Sequence, residues 1–153
     1  MFLFFVSSVA TAQEISKVTV YLEEGEKGKD SYATIKEITV ENNFIKFSES
    51  YTGKLKNREK TIIECDLTKE LRDELKNLII KNDFLKNTIE LYNILSPASY
   101  KKIKINIEST RGYFRTEFEG AQYDYRSSET AKKIEPLLTY LKQLYTSTNL
   151  KCK

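Results

Sequence analysis

Apolar side chains occupy every second position in two stretches far apart in the chain, Val18-Val20-Leu22 and Ile103-Ile105-Ile107. Thr19, Tyr21, Lys104 and Asn106 stand between them. Neighbouring side chains on an extended backbone point to opposite faces, so each stretch buries one face and gives the other to water. A sheet with one wet side is therefore the frame into which the rest of the chain must fit. Ile35 or Lys36 to Val40 and Phe44 to Ser50 read as a hairpin around Glu41-Asn42-Asn43, and Thr61 to Cys65 as a fourth strand beyond a Gly53–Lys60 connection. Ile103–Ile107 pairs with the returning Phe114-Thr116-Phe118 run through a turn at Ser109 to Gly112.

The period changes twice. After Thr68, a capping residue, Leu71, Leu75, Leu78 and Ile79 follow the spacing of one helix face, which predicts a helix over Lys69 to Lys81. From Ser128 to Tyr145 the residues Ile134, Leu137, Leu138, Leu141 and Leu144 make a second apolar stripe, with Ser127 or Ser128 as cap. Pro136 lies inside that stripe and cannot donate to the carbonyl of Lys132, so a kink, or a helix starting near Glu135, is expected. Gly25 to Asp30 and Lys86 to Tyr100 read as loops. The expected order is β-β-β-β-α-β-β-α: an α+β fold with a mostly antiparallel sheet of five to six strands and two helices on one face.

Residues Met1 to Ala12 carry no charge, and Phe2 to Val6 form a dense apolar run followed by Ala10-Thr11-Ala12. This is the pattern of a secretory signal cleaved near Ala12, leaving 13–153 as a single domain in a secreted or periplasmic protein. The run falls well short of the roughly 20 residues needed to span a bilayer, and no later segment comes closer. Cys65 and Cys152 make an even count, which in an oxidising compartment points to a disulfide tying down the C-terminal tail.

Twenty-five basic and 22 acidic residues are interspersed along the chain, giving a net charge of +3 and no call for a polyanionic partner. Lys54, Lys56, Arg58 and Lys60 alternate as on a solvated strand edge, and no nucleic-acid module accompanies them. The chain has no histidine, which removes the commonest general base and most zinc sites. Phosphate loops, nucleophile elbows and calcium loops are missing too, so neither cofactor nor metal is expected. Glu23, Glu24 and Glu26 are interrupted by Lys27 and Lys29, as in an ordinary polar loop.

What remains is a concentration of tyrosine and arginine on and after the second hairpin: Arg111, Tyr113, Arg115, Tyr123, Tyr125 and Arg126. Tyrosine gives rigid contact area with a polar tip, and arginine adds planar stacking and several donors, so both are enriched where proteins meet. From Leu67 to Tyr145 the chain also resembles the emfourin-like small proteins. The resemblance rests on Leu67-Thr68, Leu71, Leu75, Leu78, Phe84, Ile103-Lys104-Ile105 and Pro136-Leu137 with Leu141 and Leu144. The founding member inhibits thermolysin-type metalloproteases, so the resemblance implies a protease-inhibitor role without assigning any residue to it. The expected function is an exported, non-enzymatic module that binds a protein, protease inhibition being one version. The alternatives are a small carboxylate-dependent hydrolase, which needs two acids about 5 to 9 Å apart in a pocket, and a structural envelope component.

Overall fold

A computed structural model describes residues 14–28, 31–53, 58–82, 99–110, 112–121, 129–146 and 150–152. Its strands are β1 (Ile15–Glu26), β2 (Tyr32–Glu41), β3 (Phe44–Gly53), β4 (Arg58–Asp66), β5 (Ser99–Ser109), β6 (Gly112–Ala121) and β7 (Lys151–Cys152). The helices are α1 (Lys69–Lys81) and α2 (Glu129–Thr146). All strands join one antiparallel sheet in the order β6-β5-β1-β2-β3-β4-β7. The anticipated order of elements is present, extended by the two-residue β7 at the far edge. Two residues carry too little periodicity to be visible in sequence.

Register across the sheet explains the alternation. Phe114, Ile107, Val18, Val40, Ile45 and Cys65 stand directly opposite one another from β6 to β4, and the row ends at Cys152 on β7. Thr116, Ile105, Val20, Ile38, Phe47 and Ile63 form the next row on the same face. The helices cover this face: Leu75 and Ile79 of α1, and Ala131, Ile134, Leu137, Leu141 and Leu144 of α2, join these rows in one buried cluster. Each large apolar side chain there contributes about 1.5–3 kcal/mol by leaving water.

Local chemistry sets the element ends. Thr68 caps α1, its Oγ1 accepting from the Leu71 N–H at 3.4 Å. Asn82 closes the same helix, its backbone N–H and its side-chain Nδ2 both donating to the Leu78 carbonyl, at 3.1 and 2.8 Å. The β2–β3 turn is Asn42-Asn43, with Asn42 at φ 54°. Asparagine tolerates this left-handed region, which two-residue hairpins of matching twist require.

Three expectations shift. β4 begins at Arg58, so residues 58–60 belong to the strand and not to the connection after Gly53. β1 continues through Gly25 to Glu26, because Gly25 lies opposite Ala33 with the Tyr32 carbonyl so near that a Cβ would sit 2.3 Å from its oxygen. β5 begins at Ser99, so Tyr100 belongs to the sheet and not to the irregular connection. The second helix is present as expected over 128–145: it begins at Glu129 and runs through Pro136, and does not start near Glu135. Ala131 and Ile134 before the proline and Leu137 after it are all buried, and that burial offsets the hydrogen bond the proline cannot make. The Ser127 and Ser128 cap and residues 1–12 lie outside the described residues.

Candidate functional site

The other face of the sheet is built from the alternate residues, and among the described residues no helix lies on it. Its rows carry opposite charges side by side. Lys17 pairs with Glu41 at 3.0 Å, Lys104 with Glu117 at 2.9 Å, and Lys102 with Glu119 at 2.7 Å. Exposed pairs of this kind each contribute at most about 1 kcal/mol. Their main effect is to keep a wide sheet face wet and its register fixed.

Near the β1–β2 end a tyrosine–carboxylate cluster interrupts the ladder. Tyr21 donates its hydroxyl proton to Glu23 Oε2 at 2.5 Å, and Tyr100 donates to Glu23 Oε1 at 2.6 Å. Burial alone would push the Glu23 carboxyl up, but the hydrogen bonds from Tyr100 and Tyr21 and the charges of Lys102 and Lys27 leave it below its usual range. Burial, with the bond to and charge of Glu23, raises the Tyr100 phenol to about 12 and the Tyr21 phenol further. The Tyr100 ring lies over Gly25, and the Lys27 ammonium stands 5.0 Å from its centre. A cleft of about 480 Å³ opens beside the cluster, lined by Glu23, Glu26, Tyr32, Thr52 and Tyr100 among others.

These shifts have opposite consequences for stability. The phenols are raised in the folded chain, so their contribution is complete below about pH 10, the ordinary tyrosine value, and is lost as pH rises towards about 12. Glu23 is lowered, so its contribution is present above the ordinary carboxylate range and lost as pH falls through its depressed value. Urea melts between pH 8 and 12 are expected to show falling stability, with Tyr100→Phe flattening part of that slope. A slope unchanged by the substitution would remove Tyr100 from the account.

The tyrosine and arginine residues singled out in the sequence are placed as follows. Tyr113 and Arg115 are alternate residues of β6 on the open face. Tyr113 is 62% exposed, and Arg115 pairs with Glu117 at 3.2 Å while its side chain stays 50% exposed. Arg111, Tyr123, Tyr125 and Arg126 lie outside the described residues, as do Lys54 and Lys56. The three loop glutamates do not gather: Glu23 points to the open face, while Glu24 and Glu26 take the other parity and Glu24 pairs with Lys101 at 2.9 Å. Among the described residues no three His, Cys, Asp or Glu side chains are grouped to hold a metal, and no helix is long and apolar enough to cross a membrane.

The Cys65–Cys152 disulfide is formed, between directly opposed residues of β4 and β7. Sequence reasoning missed the Tyr21–Glu23–Tyr100 cluster. The i, i+2 spacing of Tyr21 and Glu23 was legible, but their partner sits in a strand end that the polar run 99–102 disguised as loop. Neither a protein-family model nor a curated protein matches the chain.

Proposed function

We propose that the chain is an exported, non-enzymatic binding module that recognises a protein partner through the β6 side of the open face, centred on Tyr113 and Arg115. The observation that carries this reading is the 62% exposure of Tyr113 beside a half-exposed Arg115 on the open face. An aromatic and a guanidinium left outward on a rigid strand are the residue types that dominate protein interfaces. The hydrolase alternative needs a carboxyl free to act on a substrate. Glu23, the half-buried acid of the cleft, has both oxygens engaged by phenols.

The disulfide is compatible with an oxidising compartment. If the apolar 1–12 segment is a cleaved signal, the exported protein begins at or near Gln13 on N-terminal sequencing. The resemblance over 67–145 makes a thermolysin-type metalloprotease the first partner to try, by adding the purified chain to the protease and following peptide hydrolysis.

The binding surface is tested by placing a photo-crosslinking amino acid at Tyr113, and separately at Ile80, which is also exposed, on α1. Crosslinked adducts in envelope extract that form from position 113 and not from position 80 are the expected result. Equal labelling from both positions, or none from either, would sink the reading.

A further inference from the structure

The two sulfurs of the disulfide differ in access. Cys65 is 2% exposed and belongs to the same buried cluster as Ile45, Leu67 and Leu150, whereas Cys152 is exposed. β7, which carries Cys152, is the last strand of the sheet, and among the described residues nothing pairs with its outer side. Thiol–disulfide exchange begins when a thiolate reaches one of the two sulfurs, so access decides which of them is attacked. The core closes the approach to Cys65. The approach to Cys152 is open from solvent.

The two strands that the bond joins are held very differently. β7 pairs with β4 only at Cys65 and Asp66, and Leu150 just before it, 8% exposed, joins the core. β4 pairs with β3 from Phe44↔Asp66 through Glu49↔Thr61, so Cys65 keeps its place opposite Ile45 with β7 or without it. A segment held by few buried contacts opens at a lower free energy than the whole domain. Moving β7 aside breaks two residues of pairing and withdraws one leucine, and it leaves β1 to β6 and both helices in place.

We propose that this bond is broken and remade on the folded domain, by exchange with a dithiol that enters at Cys152 and releases β7 alone. In the reducing direction a donor thiolate attacks Sγ of Cys152. The bond to Cys65 breaks, and the Cys65 sulfur leaves with the electron pair and takes a proton from water admitted as β7 moves out. The donor's second thiolate then attacks the donor sulfur of the mixed disulfide and frees the Cys152 thiol. The donor ends as a disulfide and the chain as two thiols. Reoxidation runs back through the same mixed disulfide on Cys152, which the Cys65 thiolate resolves. The redox state of one bond thus uncovers or covers the end of β4. The inference is independent of the partner-binding reading, since it uses neither Tyr113 nor Arg115.

Reduction of the oxidised chain by excess dithiothreitol, followed by alkylation and mass mapping at intervals, tests it. The rate is expected to stay nearly flat in urea below the unfolding transition. Leu150→Ala, which loosens β7, is expected to be reduced roughly tenfold faster or more. Phe118→Ala weakens the core in β6, at the opposite end of the sheet, and is expected to be reduced at the wild-type rate. With glutathione in place of dithiothreitol, the trapped adduct is expected on Cys152, with Cys65 left open to alkylation. Circular dichroism confirms that the variants and the reduced chain are folded. A rate that climbs with urea and with the stability lost in Phe118→Ala overturns the proposal, because exchange then waits for global unfolding. So does a glutathione adduct on Cys65, or a bond that dithiothreitol leaves intact in the folded chain.

Discussion

Replacing Cys65 and Cys152 together with alanine is expected to lower the melting temperature by roughly 10–20 °C. The two residues are 87 apart in sequence, and cross-linking them removes about 4–5 kcal/mol of chain entropy from the unfolded state. For a domain of this size each kcal/mol corresponds to roughly 2–5 °C. The change acts chiefly on the unfolded chain, so the folded sheet of the variant should keep its spectrum. β7 alone should fray, because once the bridge is gone it is held by two residues of pairing with β4 and by the buried Leu150 before it. Scanning calorimetry of the double variant, beside wild type with and without reductant, checks this. A shift of less than about 3 °C would mean that the bridge closes no loop that the unfolded chain would otherwise leave open.

Phe118→Ala is expected to cost about 3–5 kcal/mol, whereas Tyr113→Ala on the same strand should stay within about 0.5 kcal/mol. Phe118 is 1% exposed and faces the helices, so its loss leaves a cavity that the surrounding rows cannot refill. Tyr113, five residues earlier and of the opposite parity, rests in water. Urea melts of the two variants, with unchanged denaturant slopes, check the contrast. If Tyr113→Ala were as costly as Phe118→Ala, the ring would be holding the fold together. The face proposed for partner binding would then be core.

The two-faced architecture was legible because β5 and β6 alternate with period two, and Ile103, Ile105 and Ile107 all enter the core as their spacing demands. The helix over 69–81 was legible to the residue, since Thr68 and Asn82 carry the capping chemistry in their side chains. Tyr100 and Gly25 were misread for one shared reason. Each follows a local rule that tertiary contact overrides: a polar strand end, and a glycine opposite a close carbonyl. The candidate site was legible only as composition. Tyrosine and arginine concentrate near 111–126, but which of them look outward depends on strand parity, which is not a property of a residue type.

The proline-bearing helix is also keyed to the sheet by its rotation. Ala131, Ile134, Leu137, Leu141 and Leu144 enter the core on one face of α2, and Tyr145 packs edge-on against Phe47 of β3 with ring centres 5.0 Å apart. At 3.6 residues per turn each residue advances the helix by about 100°, so one residue inserted within 129–146 would swing every later side chain away from the face it now occupies. An insertion before Ile134 would leave Leu137, Leu141 and Leu144 facing water, whereas an added residue beyond Thr146 leaves their phase unchanged.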